Sequence, residues 1–338
     1  MDPLSHAALG RTLIALRRPD DDLRSRRAAI AAAILGALSP DIDAVCMPFG
    51  WDVYLRVHEA GTHTVAGAAG TGLLTAVVVR AFARQAQWTA LAAAALVTSL
   101  SHVALDLLSS ARLRVFWPID DRQVSLPLVG MADPWLAALL VAPAVAFVWI
   151  RRSQRVAAAV LAVAVMFLGI KALFARQAID AYDASLNGAS PTARNVEATW
   201  ASLTEWHVMD RTDDRLRVWR ADAASRSATL VLSWPLTPET PLVAASRALS
   251  TVRNFLRVHQ LGFAVTLPKG DGGSAVLWSD VRYCWNPTSP GAPQLEPTIE
   301  TGPDRIACAL WFGGEFDAGG RPIVQVVKVF GFTQTRAP

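Results

Sequence analysis

Hydrophobic and polar positions follow different patterns in the two halves of the chain. Six runs carry almost no formal charge, 3–16, 28–40, 64–83, 88–105, 134–150 and 156–175, and only Arg11, Arg80 and Lys171 interrupt them. A helix that crosses a bilayer needs about 20 apolar residues, within roughly 17–25. The last four runs meet that length. The first two are shorter and would also suit buried soluble helices; their place beside four spanning candidates assigns them to the membrane. From residue 177 onward the pattern shortens. The polar stretch 182–191, with Ser, Asn, Gly and Pro, reads as part of a linker. Alternating or β-rich runs follow at 216–219, 228–234, 264–267, 275–278, 306–312 and 323–330, separated by Gly and Pro clusters, and one helix is predicted over 241–259. The predicted fold class is a mainly α membrane helical bundle of about six helices, four to six of them spanning, followed by a mainly β (α+β) soluble domain. The divisions fall at 1–176 for the bundle, 177–189 for the linker and 190–338 for the β domain.

Composition agrees with that division. Only 18% of the 338 residues are charged and 52% are apolar, whereas globular domains carry about 25% charged residues. The apolar fraction excludes a disordered chain, and three cysteines in this length exclude a disulfide scaffold. Positive charge is concentrated in alternate turns. Arg17, Arg18, Arg24, Arg26 and Arg27 lie between the first two runs, Arg80 and Arg84 at the end of the third, and Arg151, Arg152 and Arg155 between the last two. The opposite loops hold Arg56, Arg112, Arg114 and Arg122. The positive-inside rule then puts the Arg-rich turns in the cytoplasm. The N-terminus, the loops around 41–62 and 106–133, and the β domain face outward. Residues 1–16 lack a basic n-region and a cleavage site, so insertion by the chain's own helices is expected. The formal net charge of +4 is explained by these turns and scattered arginines, and no nucleic acid partner is expected.

The rare ionisable groups of the first half fall in an ordered way on this path. His6 opens the first run, Asp41 and Asp43 follow the second, His58 and His63 precede the third, His102 and Asp106 close the fourth, and Asp133 opens the fifth. In an up-and-down bundle all of these lie at one end. His102 and Asp106 are four apart and share a helix face. His58 and His63 are five apart and would diverge on a regular helix; Gly61 supplies a turn, and Thr62 is expected to cap the next helix with His63 in its first turn. Mixed imidazole and carboxylate donors suit zinc, with manganese and iron less selectively. Their number allows one or two ions, and such sites activate water for hydrolysis. Asp41 or Asp133 alone would also fit a helix-terminus role. Ionisable groups such as His102 and Asp106 inside an apolar segment mark function by default. Asp2 and Glu59 are weaker candidates.

Met1-Asp2-Pro3-Leu4-Ser5-His6, Pro40-Asp41-Ile42-Asp43, His58-Glu59-Ala60-Gly61-Thr62-His63, Ser101-His102-Val103-Ala104-Leu105-Asp106, Trp117-Pro118 and Asp133-Pro134-Trp135 occur in that order. This set resembles the YdjM-like family of predicted bacterial membrane-bound metal-dependent hydrolases, regulated by LexA in some members, over residues 1 to 175. The resemblance implies a metal site of His6, Asp41, His58, His63, His102 and Asp106, and a bacterial cytoplasmic (inner) membrane location. It also implies a distant relation to zinc-dependent phospholipase C, an analogy of fold. The family usually has Arg where this chain has Glu59, a departure that would add an oxygen ligand if Glu59 reaches the metal.

The function expected is hydrolysis of an ester or phosphoester, including lipid-derived ones, by metal-activated water. Asp43 and Asp106 are the catalytic candidates. Asp43 is read as a general base or as a partner that orients a ligand His. Membrane lipid and a small-molecule or lipid substrate are the expected partners. Arg112, Arg114 and Arg122 could bind phosphate or lipid headgroups, or anchor helix ends. Trp117 and Trp135 fit an interfacial aromatic belt. The alternative is a non-catalytic metal-stabilised scaffold or sensor whose outer β domain binds a partner. Within that domain His207 and His259 read as structural, Asp280 and Arg282 share a strand face, and Cys284 and Cys308 could pair in an oxidising compartment, leaving Cys46 free.

Overall fold

The structure is a computed structural model that describes residues 1–17, 22–109, 112–147, 153–188, 190–285, 298–301 and 304–338. Helices α1 (Pro3–Ala15), α2 (Leu23–Leu38), α4 (Val65–Phe82), α5 (Trp88–Leu107), α6 (Pro134–Ala146) and α7 (Ser153–Ser185) form the bundle, with a short α3 (Trp51–Val57) between α2 and α4. An eleven-residue 3-10 stretch, Ser39–Phe49, continues α2. Pro40 stands in its first turn, where the missing N–H has no helical partner to lose. Among the described residues, four segments are long and apolar enough to cross a membrane: Leu23–Phe49, Val65–Phe82, Trp88–Leu107 and Gln154–Ser185. The second run, short when read alone, therefore reaches spanning length through the 3-10 stretch. The fifth gives a thirteen-residue helix in its described part, and 148–150 lie outside the described residues.

Packing in the bundle reverses that of a soluble core. The inside is small: Ala32, Ala33, Gly36 and Ala37 of α2 face Ala94, Ala95, Thr98 and Ser99 of α5. The outside is large and apolar, with Leu74, Val77, Phe82, Val97, Val165 and Leu173 all exposed. Lipid is as apolar as leucine, so helices in a bilayer associate through close backbone approach rather than by burying large side chains. A Cβ on Gly36 would lie 2.7 Å from both Cα and O of Ala95. Close contact of α2 with α5 therefore depends on glycine there.

The C-terminal half is antiparallel β. Strands β1 (Ala193–Ala198), β2 (Glu205–Arg211), β3 (Arg215–Asp222) and β4 (Ser227–Pro235) form a meander. Helices α8 (Pro241–Ser246) and α9 (Ser250–Val258) follow, so the single helix predicted over 241–259 is broken in two. Strands β5 (Gly262–Pro268), β6 (Ser274–Asp280), β10 (Leu310–Phe316), β11 (Pro322–Val329) and β12 (Phe332–Arg336) form a sheet in the order β12-β11-β10-β6-β5. A small sheet joins β7 (Cys284–Trp285), β9 (Asp304–Cys308) and β8 (Thr298–Thr301). Cys284 and Cys308 are directly opposite across β7 and β9 and are disulfide-bonded; Cys46 is free.

Helix α7 is one of the features that tie the halves together. The 33-residue α7 is about 50 Å long, against about 30 Å of bilayer core, so its last turns project beyond the membrane. Its Ala175, Ala178 and Tyr182 share a buried cluster with Trp206 and Val208 of β2, and the Tyr182 hydroxyl donates to Asp210 at 2.7 Å. The stretch 177–189, predicted as a linker, is thus helical as far as Ser185, because packing on the sheet extends α7. Lys171, anomalous in an apolar run, donates to the Ser202 carbonyl at 3.0 Å and lies over the Trp206 ring. Another tie is α3. Leu55 belongs to the buried cluster of Val252, Phe255, Trp278 and Phe312, and Trp51 and Tyr54 pack against it. Asp52, fully buried, accepts hydrogen bonds from Arg336 of β12 and from Asn254 of α9.

Candidate metal centre

Helix α1, the 3-10 extension of α2, the segment from α3 into α4, and α5 each bring a donor to the β-domain side of the bundle. The turns of α2 and its 3-10 extension carry Asp41 and Asp43, two residues apart on a three-residue helical repeat, so their carboxylates diverge. Asp43 is buried and Asp41 keeps a third of its side chain in solvent. The segment His58–Thr62 after α3 is one turn of π-helix. Its i→i+5 closure sets residues five apart over one another, and the His58 and His63 rings lie 3.7 Å between centroids. The divergence expected for a regular helix is removed in this way. Thr62 does not cap α4. Its hydroxyl donates to Asp43 Oδ2 at 2.6 Å, and Thr64 takes the capping role by accepting from Gly67 N.

At the centre, His63 Nε2 and His102 Nε2 are 3.0 Å apart. Asp41 Oδ1 lies 3.4 Å from the first and 3.5 Å from the second. Asp106 Oδ2 lies 3.4 Å and 3.2 Å from the same two nitrogens. Donors about 2.0–2.2 Å from one zinc ion in tetrahedral array are separated by roughly 3.3–3.6 Å, so each of these triangles approaches one face of such a site, with the 3.0 Å edge between the two imidazoles shorter than that spacing. The imidazoles are also aimed. His102 Nδ1 donates to the Ala37 carbonyl at 2.6 Å, which leaves Nε2 its lone pair. His63 Nδ1 is turned to the Thr62 hydroxyl at 3.1 Å and to Asp43 Oδ2 at 3.4 Å. A carboxylate or carbonyl behind the ring is the usual support of a metal-ligating histidine.

His6 extends the cluster from α1. Its ring stacks on His102 at 3.7 Å, and Nε2 lies 3.2 Å from Asp106 Oδ1, which the amino group of Met1 also reaches. Among the described residues, neither His6 nitrogen nor Asp43 Oδ1, all buried, has a hydrogen-bond partner. Unsatisfied buried polar atoms are rare and call for an occupant. Three overlapping donor groups result: His6, His102 and Asp106; Asp41, His63 and His102; Asp43, His58 and His63. The donor chemistry and the orphaned atoms fit a divalent cation. Electrostatics agree: burial opposes charge on His63, yet hydrogen bonds to Asp41 and Asp43 and the Asp106 charge lift its pKa to about 9. The same field favours any cation at this position.

All six residues named as ligands, His6, Asp41, His58, His63, His102 and Asp106, fall in these groups together with Asp43. Asp133 does not: it caps α6, accepting from Trp135 N and Leu136 N. Asp2 caps α1 by accepting from Ser5. The Glu59 side chain lies outside the described residues. The arginines considered for phosphate are committed elsewhere. Arg112 donates to Asn195, Gln260 and the Arg194 carbonyl, Arg114 to the Arg257 carbonyl, and Arg122 pairs with Asp120. Trp135 Nε1 donates to the Ala201 carbonyl, so that ring too serves the junction with the β domain. Sequence reasoning did not single out Ala37, whose role is carried by a backbone carbonyl, or Thr62 as a partner of Asp43.

A protein of Bacillus subtilis (strain 168) described as "Uncharacterized protein YfhP" is 25% identical over 140 residues, covering 40% of this chain and 43% of its own. The chain thus matches less than half the length of that relative. No solved structure matches. The profile described as YdjM inner membrane protein matches residues 1–178, more than half of the chain and all of the donor cluster; the chain belongs to the YdjM inner membrane protein family.

Proposed function

We propose that this chain is a membrane-bound metal-dependent hydrolase acting on an ester or phosphoester, with zinc as the first choice of metal, in one or two ions. The observation that carries the reading is the convergence of His63 Nε2, His102 Nε2 and a carboxylate oxygen within 3.0–3.5 Å, each ring held from behind. When bound there, a divalent cation would lower the pKa of water and polarise the scissile bond. Asp41, Asp106, His63 and His102 would hold it, with His6 the next donor. Asp43, hydrogen-bonded to His58 and Thr62 and near His63, orients the two imidazoles rather than meeting substrate. Asp106, whose two oxygens face different partners, is the carboxylate best placed to hold or release a proton at the reacting centre. The partial exposure of Asp41 supports an open coordination position, the mark of catalytic rather than structural zinc.

The extracytoplasmic orientation of the β domain is part of the same proposal. Arginines gather in the turns at the end away from the cluster, and a disulfide suits an oxidising compartment. The test is elemental analysis of the detergent-purified protein with His102→Ala and Asp106→Ala beside it, followed by assays on phosphodiester and phospholipid substrates. Bound divalent metal lost in both variants is expected; metal content unchanged in both would overturn the site. Metal bound without hydrolysis of any substrate would favour the scaffold or sensor.

A further inference from the structure

A groove of about 560 Å³ lies where the bundle meets the far sheet, between the end of the 3-10 stretch and the β11–β12 turn. Met47, Pro48, Trp51, Val329, Phe330 and Phe332 line it, and none is charged. Around it the surface is strongly apolar. Phe332 is 79% exposed, Phe49 71% and Val45 68%, and β12 is an edge strand. Contiguous exposed apolar surface of this kind marks a protein or membrane contact.

What covers it follows from continuity. Met47, Pro48 and Phe49 close the candidate span Leu23–Phe49, so the groove opens where that span leaves the bilayer. The exposed apolar side chains of the 3-10 stretch continue the lipid-facing exterior of the bundle. Strand β12, which leads out of that turn, is tied to the bundle at its far end by Arg336, which binds Asp52 of α3. We propose that this groove and the Phe330–Phe332 turn dip into the bilayer leaflet on the cluster side and seat a lipid acyl chain. The surface is independent of the hydrolase reading.

The test is a nitroxide label on Phe332→Cys in the full chain, with Cys46→Ser, reconstituted in phosphatidylglycerol–phosphatidylcholine vesicles. Ala318→Cys, exposed in the turn at the other end of β11, is the reference, about 25 Å away along the strand. Collision with oxygen and with an aqueous nickel chelate is measured at both sites. Position 332 is expected to meet oxygen freely and the chelate several-fold less than 318 does. Val45→Cys, on the neighbouring segment, should behave like 332 and guards against a local distortion of the turn. Equal chelate access at 332 and 318 would overturn the proposal by placing the turn in water. Shielding from both oxygen and chelate would overturn it by placing the turn against protein, including a second copy of this chain.

Discussion

Substituting Gly36 by alanine tests whether helix packing sets the donor geometry. The added Cβ would stand 2.6 Å from Thr98 Oγ1 and 2.7 Å from the Ala95 backbone. Ordinary carbon contacts are about 3.5–4.0 Å, so α2 and α5 must part by about 1 Å. Thr98 can rotate away; the Ala95 backbone cannot. Ala37 is the next residue of α2, and its carbonyl holds His102 Nδ1 at 2.6 Å across this contact. A further 1 Å or so takes that bond outside hydrogen-bonding range. His102 then loses the partner that fixes its tautomer and aim, a change that typically costs 10- to 100-fold in metal affinity, roughly 1.4–2.7 kcal/mol. Chelator competition on the purified protein reads this directly, with thermal unfolding alongside to register an overpacking cost of about 1–3 kcal/mol. Gly70→Ala is the control, since a Cβ there meets nothing within 4 Å. Wild-type metal affinity in Gly36→Ala would refute the idea that α2–α5 contact positions His102. Weakened affinity in Gly70→Ala as well would refute its specificity.

Arg336→Ala leaves the buried Asp52 with Asn254 as partner and should destabilise the full chain by about 1–3 kcal/mol, measured by urea unfolding; an unchanged midpoint would show that the Arg336–Asp52 tie between β12 and α3 contributes nothing. In the β domain His259 is held near Asp280 and accepts from Arg282 at Nδ1. Burial and then the Arg282 charge push its pKa down to about 3, against the attraction of Asp280. The unfolded imidazole protonates near 6.5, so between those values the unfolded chain binds the extra proton and stability falls as pH falls, by up to about 1.4 kcal/mol per pH unit. His259→Asn should flatten the wild-type dependence of the unfolding midpoint between pH 6.5 and 4; parallel curves would refute the assignment. For topology, an alkaline phosphatase fusion after residue 338 should be active, and an expressed but inactive fusion would reverse the orientation.

The donor cluster was legible because membrane helices are simple to read. Charge is costly in an apolar run, so each surviving His or Asp stands out, and alternation of the runs places them at one end without any knowledge of angles. Of the β-rich runs legible in the sequence, 216–219, 228–234, 264–267 and 275–278 each fall within one strand, 306–312 covers the end of β9 and the start of β10 across Ala309, and 323–330 runs one residue past β11. What stayed hidden has physical reasons. Asp133 and Asp41 look alike in sequence because a helix cap and a candidate metal donor can use the same short carboxylate at a helix end. The end of α7 read as a linker because the residues packed on the sheet there, Ala178, Tyr182 and Leu186, are few and alternate with the polar Asp180, Asp183 and Ser185. The π turn at His58–Thr62 carries no pattern of its own, since five residues cannot show a period.

The least legible element is also the one that joins the halves. Helix α3 has seven residues, too few for a hydrophobic stripe, and sits in the sequence among membrane segments, yet Leu55 is part of the β-domain core. It leads directly into His58. The donors therefore have two independent supports. His102 is placed by small-residue contact of α5 with α2 inside the bundle. His58, and through the π turn His63, is placed by α3, whose position is set by Phe255 and Asn254 of α9 and by Arg336 of β12. A chain cut after α7 would keep the first support and lose the second. On that argument the β domain is part of the centre's scaffold, and changes far along the sequence, at residue 336, are felt at residue 58.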